Sequence, residues 1–534
     1  MQSNRRDFLK LTGGVSLLAA TSGTVLAGCG GSDGSGTAAK AAAKATPPEY
    51  LPYTSVKPDL PGTADGVMPG FFKYPRQLVD GYKDKPGAGA GDVKILTNMF
   101  NPAPPGAGSN TYWKALNDRV GANLDITMTP AADYVSKLST VIAGGDLPDI
   151  LMIASKFPNR GEMLTKLCAD LTSHLSGSAV KDYSFLANLP TDSWLPTMYK
   201  GGIHAIPIAR SVIGTIMFSR VDLIKARSLN PEPASYADFV ETAKGLTDAK
   251  ANKWAFGASK GVTTFIGNML GVPNVWKQDG GKFVSELEVP ERKEAVARTA
   301  ELVKAGVFHP DALGGKLQLR DLFGNGTIAL NADGYAAWDL MADTYGVDVG
   351  GMPVPGYDGA QKGKPVQREG AAIFALTAFK KAGDDRVRQL LRICDWLAAP
   401  LGTSEYMFRR FGLEGIHYTW KGDKPERTSA GKTQVSLPLE YVADAPHVLG
   451  PSNEQRARTQ RAYQEKIVPN LLANPCAGLY SATSISKADE LDKLINAAEL
   501  DIISGRKPIS SWDDAVANWK KRGGDKIRDE YSNQ

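Results

Sequence analysis

The sequence predicts an α/β protein of two lobes joined by a hinge, and three observations carry that reading. A chain of 534 residues is too long for one ordinary hydrophobic core. Strand-like and helical segments alternate from Val93 onward, the pattern of βαβ units and a largely parallel sheet. Two extended runs, 201–218 and 347–355, are marked by glycine and proline, which disfavour helix, and two crossings are what a hinge requires.

Composition narrows the class. Hydrophobic residues make up 42% and charged residues 22%, ordinary values for a soluble globular body. The net charge of +5 is dispersed, with no basic cluster, so nucleic acid is not an expected partner.

The chain opens on Asn4-Arg5-Arg6-Asp7-Phe8-Leu9-Lys10, then a stretch of small and apolar residues to Leu26, then Ala27-Gly28-Cys29. A charged start and a short apolar core fit a signal peptide and fall short of a spanning helix. The paired arginines resemble a twin-arginine export signal. Leu26–Cys29 resembles a lipobox, which implies cleavage before Cys29 and a palmitate-type acyl anchor on its sulfur. Residues 1–28 therefore read as a signal peptide and 29–91 as a flexible tether and N-terminal arm, rich in Gly, Ala, Pro and Ser, with the folded body starting near Asp92. The expected location is extracytoplasmic, anchored to the cell membrane through lipidated Cys29.

Val93–Phe100 reads as a first strand, followed by a helix from Thr111 with Trp113, Leu116 and Val120 on one face and a strand at 124–128. A helix over 133–143 stops at Gly144-Gly145, and Pro148 turns the chain into a buried strand from Ile150. In open sheets of this kind ligands bind at the carboxyl ends of strands, which places Asn98 and Phe100 beside a cleft. The later segment Ala371–Leu376 reads as a buried strand, and Trp396, in the apolar helix 390–397, reads as core.

Cys168, Cys394 and Cys476 are odd in number and lack the spacing of a metal knuckle, so they read as small buried hydrophobes. The five histidines are scattered with no two at helical ligand spacing. No metal and no cofactor is expected.

Several motifs in order carry a resemblance. Ala143–Ile150, Gly202–Pro207 with His204 in place of a usual tyrosine, Phe218–Ile224, Gly326–Leu330 with Trp338, Asp395–Leu397, and Phe411–Tyr418 are similar to blocks of family 1 extracellular solute-binding proteins of ABC importers, the last pattern to a long oligosaccharide-linked lipoprotein subgroup. The resemblance spans residues 92–534. It implies a two-lobed periplasmic-binding-protein-like (type II) fold, with lobe one at 92–209 and 352–440, lobe two at 210–351 and 441–534, and ligand held in the interlobe cleft. It also implies a lipid-anchored monomer that captures a carbohydrate, an oligosaccharide in particular, and delivers it to ABC permease subunits. Many subgroup members carry an acidic calcium loop after the Leu246-like helix; here Thr247–Trp254 supplies two lysines and no terminal glutamate, too few oxygen ligands for calcium.

Sugar binding needs flat apolar faces for ring C–H groups and planar polar groups for hydroxyls. The candidates are Asn98, Phe100, Ser155, Trp194, Tyr199 and Arg210 from the first part of the chain, Trp254, Trp276, Asp333, Tyr335 and Trp338 from the second, and Arg368 and Glu369 after the return crossing. Two rival classes stay open: a receptor for a non-sugar solute and a secreted carbohydrate-active enzyme. For the latter, Gly257-Ala258-Ser259-Lys260-Gly261 matches a nucleophile elbow, but a polar stretch precedes it and no histidine lies near in sequence, so no strand-to-helix elbow and no catalytic role are expected there.

Overall fold

The computed structural model describes residues 45–533, apart from residues 64, 101, 156, 359–363 and 452. The signal segment and Cys29 lie outside the described residues. Among the described residues no helix is long and apolar enough to cross a membrane.

Nine strands make the two main sheets: β1 (Asp92–Met99), β2 (Asn123–Pro130), β3 (Ile150–Ala154), β4 (Ile206–Ala209), β5 (Thr215–Arg220), β6 (Trp254–Phe256), β7 (Ile328–Gly334), β8 (Val349–Met352) and β9 (Ile373–Phe379). The first sheet runs β2-β1-β3-β9-β4, with β1 parallel to β2 and β3 and with β9 antiparallel to both its neighbours. The second runs β8-β5-β7-β6, with β5 antiparallel to β7 and β8. The architecture is thus α/β in two lobes, each built on its own sheet, as the alternating pattern predicts.

Local sequence explains the first lobe well. Asn110 caps the helix Thr111–Val120 by accepting the Trp113 N–H, Gly121 ends it at φ 77, and Tyr112, Trp113, Leu116 and Val120 are its buried face. The buried run Ile150–Ile153 forms β3, and Trp396 is 3% exposed in the core against Phe408. Cys168, Cys394 and Cys476 are all buried and unpaired.

Besides the N-terminal arm, three passages join the lobes. The first, 210–214, links β4 to β5 directly. The second lies between β8 and β9. The boundary read at 351/352 shifts here, because Met352 pairs with Met217 and is buried in the second lobe's core. A third follows Ala443: Val442 and Ala443 pack in the first lobe, whereas Tyr463 and Ile467 of the helix Glu454–Ile467 pack in the second. The sequence reading of 441–534 as wholly second-lobe is corrected accordingly.

The tether reading also changes from Ala45 on. The Ala45 N–H donates to the Gly201 carbonyl at 2.7 Å, Leu51 N–H to Ala187 at 2.8 Å, and Met68 N–H to Gln464 Oε1 at 2.8 Å. Val67 and Phe71 are buried. The arm therefore crosses from one lobe to the other along the outside, held by backbone hydrogen bonds that composition does not announce. One of its anchors is Glu405, 4% exposed, which accepts from the N–H groups of Gly81 at 3.0 Å and Tyr82 at 2.9 Å. Glu405→Ala leaves those donors without their acceptor, and denaturant melts should show a loss of about 1–3 kcal/mol together with earlier proteolytic cutting within 72–91.

Candidate functional site

The strand order brings one edge of the first sheet to the hinge. Ala154 pairs with Ala375 and Ala209 with Ile373, so the ends of β1, β3 and β4 and the start of β9 lie along one edge, carrying Phe100, Ser155, Arg210 and Phe374. Phe100 is 57% exposed. Its ring centroid lies 5.3 Å from Tyr441 and 6.0 Å from Phe374, and Phe374 lies 5.1 Å from Tyr441. The Arg210 guanidinium sits 5.0 Å over Phe374. These groups form an aromatic platform with a cation at its side.

Backbone geometry fixes that cation. The Arg210 N–H donates to the Ala372 carbonyl at 2.8 Å, and Ala372 holds φ 53, a left-handed conformation that alanine adopts only at a cost. Arg210 Nη1 donates to the Ala209 carbonyl at 3.0 Å and lies 3.4 Å from His447 Nε2. Behind it Asp444, buried, accepts from Arg409 Nη2 at 2.6 Å, Arg410 Nη2 at 3.0 Å and the Ala445 N–H at 2.9 Å. Burial pushes the Asp444 carboxyl up, but Arg410 and Arg409 outweigh it and hold it well below the usual carboxylate range. For His447 burial dominates, with Arg210 and Arg410 adding to it against Asp444, and the imidazole is depressed to about 4.

The other sequence candidates divide. Asn98 is 4% exposed, its Oδ1 sealed and unpartnered below the platform. Ser155 is exposed at the end of β3, and its carbonyl accepts from Arg160 Nη1. Tyr199 is half-buried, its hydroxyl accepting from Arg160 Nε at 2.6 Å. Trp194, 1% exposed, lies in the first lobe's core, and Trp276 in a separate core against Trp519 and Tyr531, so neither offers a ring face to solvent. Tyr335 and Trp338 are likewise core: Trp338 is 1% exposed between Phe218 and Tyr463, and the Tyr335 hydroxyl accepts from Gln464 Nε2 at 2.6 Å. The loop after β7 turns these two rings inward, and this corrects the reading of Trp194, Trp276, Tyr335 and Trp338 as cleft residues.

In the second lobe Trp254 is half-buried at the start of β6, its Nε1 on Asn252, which places it at the opposite end of that strand from Gly257. Asp333 is paired with Arg320 at 2.7 Å. Arg368 donates to Glu286 at 2.7 Å, a largely buried pair within the second lobe. The Glu369 side chain is half-buried, and burial followed by the nearby Asp192 raises its carboxyl. Across the mouth the Tyr480 hydroxyl donates to Asn159 Oδ1 at 3.0 Å.

Two motifs resolve structurally. Gly257–Gly261 does follow a buried strand and open a helix, Ser259–Met269, contrary to the sequence expectation. Yet the nearby His309 uses Nδ1 to accept the Asp311 N–H at 3.1 Å, and no histidine bonds the Ser259 hydroxyl among the described residues. In Gly412–Tyr418, His417 is fully buried, with Nδ1 accepting the Leu413 N–H at 3.0 Å and Nε2 3.0 Å from Thr111 Oγ1; it ties a turn to a helix start. The loop 247–254 uses Asp248 to accept the Ala251 N–H at 3.2 Å. Among the described residues no three His, Cys, Asp or Glu side chains gather as metal ligands would.

A family model described as bacterial extracellular solute-binding protein matches residues 112–402, more than half of the chain. The chain belongs to that family. This solute-binding protein is 24% identical over 468 residues to a polygalacturonan/rhamnogalacturonan-binding protein of Bacillus subtilis, YtcQ, covering 81% of this chain and 89% of that one. It is 22% identical over 461 residues to lipoprotein LipO of the same organism, covering 82% and 90%. Among solved structures, an N-glycan transport solute-binding protein (NgtS) of Streptococcus pneumoniae aligns with TM-score 0.61 at 15% identity, covering 83% of this chain and 97% of that one. The two-lobed fold is shared.

Sequence reasoning missed Phe374, Tyr441, Asp444 and His447. The signal for Phe374 was its place in the strand 371–376, where alternation turns it away from the buried faces of Ile373 and Ala375; the other three reach the site only through the third passage. Two measurements check the sorting. Trp338→Ala should lower stability by about 3–5 kcal/mol in denaturant melts, while Phe100→Ala, exposed, should cost about 0.5 kcal/mol or less. His447, neutral when folded, titrates near 6.5 when unfolded, so the unfolded chain takes up a proton that the folded chain refuses as pH falls from 6.5 toward about 4. Stability should decline through that window by up to about 1.4 kcal/mol per pH unit from this group, and the His447→Gln profile should be shallower there.

Proposed function

We propose that this solute-binding protein captures a carbohydrate, an oligosaccharide, in the cleft between its lobes, closes over it, and delivers it as a monomer to the permease of an ABC importer. The observation that carries the reading is the platform of Phe100, Phe374 and Tyr441 beside Arg210 at the hinge edge. An exposed ring backed by two half-buried ones matches the C–H faces of sugar rings, and a guanidinium offers planar donors to their oxygens. The relatives support it: the names of YtcQ and of NgtS are those of carbohydrate-binding or carbohydrate-transport proteins. The twin-arginine and lipobox patterns, with the similarity to LipO, support export and anchoring through acylated Cys29.

Lobe closure makes the ligand a stabiliser of the folded chain. In a thermal-shift screen over plant and microbial oligosaccharides, a cognate sugar at a hundredfold excess over its Kd should add about 2.7 kcal/mol. A screen without any shift overturns the carbohydrate reading, and cleavage of a bound sugar would turn the protein into an enzyme.

A further inference from the structure

The charge balance at the hinge edge is uneven. Asp444 already receives both Arg409 and Arg410. Arg210 therefore adds a third guanidinium to a group with one paired carboxylate. Glu440 acts on it only through space, more weakly than Asp444 and Tyr441 do. His447, the other ionisable neighbour of Arg210, is neutral and contributes no anion. Beyond the contacts of Nη1, Arg210 Nε and Nη2 donate to no group among the described residues, and neither is sealed from solvent. A guanidinium held in place by the strained Ala372 and by Phe374, with two donors left open beside the platform, matches the planar geometry of a carboxylate.

The carboxylates on the second lobe's hinge strands are themselves engaged. Asp333 is neutralised by Arg320, and Glu369 is shifted toward its protonated form by burial and by Asp192. The helix Ser259–Met269, which starts where β6 leaves the sheet, has no acidic residue in its first turn and no side-chain cap, and Lys260 beside its start is exposed.

We propose that the preferred ligands are acidic oligosaccharides, with the Arg210 guanidinium receiving a uronate carboxylate while Phe374 and Phe100 hold a sugar face. This rests on the carbohydrate reading above and narrows it. A neutral sugar offers hydroxyls to Arg210 but leaves its charge unmatched in a half-buried setting, where a paired anion is favoured.

The test is calorimetric titration of the full chain with trisaccharides of galacturonate, glucuronate and mannuronate, each as free acid and as methyl ester, beside neutral trisaccharides. At least one acid should bind about thirtyfold or more tighter than its ester. R210Q should erase most of that ratio and R210K should keep part of it. Added salt should weaken the acid and leave the ester nearly unchanged. Equal binding of acid and ester, or binding of neutral sugars alone, overturns the acidic preference and leaves the carbohydrate reading intact. A ratio that survives in R210Q overturns the role of Arg210. Absence of binding by every sugar overturns both readings. If R210Q does not fold, the wild-type ratio, its salt dependence and R210K decide the matter.

Discussion

A buried carboxylate must be paired, and that constraint at Asp444 organises the hinge. Two guanidiniums and a backbone N–H converge on it from the helix Ser404–Phe411 and from its own passage. Removing both arginines would strand that charge away from water, a loss of several kcal/mol, so the geometry tolerates little relaxation. Because Asp444 is fixed, Tyr441 and His447 on either side of it are fixed too. The Tyr441 carbonyl accepts from Thr97 Oγ1 at 3.2 Å, and that of Val442 accepts from Thr377, which lays the third passage across β1 and β9. The platform thus rests on a first-lobe sheet that is already rigid.

That arrangement separates what moves from what does not. The aromatic platform, Arg210 and the Asp444 network all belong to the first lobe or to the passages leaving it. The second lobe contributes a wall whose charges are internally matched, Asp333 with Arg320 and Arg368 with Glu286. The half-exposed pair Asp333–Arg320 adds little stability, but both pairs take charges out of reach of a ligand. The contact from Tyr480 to Asn159 and the docked arm cross between lobes outside the platform, so the proposed closure would act on peripheral contacts.

Legibility followed the range of the determining interaction. The βαβ start, the helix caps, the hairpin before the first passage, the core place of Trp396 and the extended character of 201–218 all rest on contacts within a few residues, and the pattern of the sequence marks them. The placement of Phe100 and Arg210 at the hinge edge was legible because strand ends and crossings are local features. Four of the candidate rings, Trp194, Trp276, Tyr335 and Trp338, lie in cores because an aromatic residue serves core and cleft equally well; for Tyr335 and Trp338, which follow a strand, only the direction of the loop separates the two.

By itself the sequence determined an α/β protein of two lobes with a glycine- and proline-marked hinge and a motif order that identifies its family. Periodicity and turn chemistry are written residue by residue, so no distant contact is needed to read them. Tertiary structure alone decided the route of the arm over 45–91, the third passage, and the meeting of Arg210 with Phe374, Tyr441, Asp444 and His447. Those residues are brought together from strand ends and loops far apart in the chain by sheet order and by the pairing of a buried charge, neither of which leaves a periodic trace in sequence.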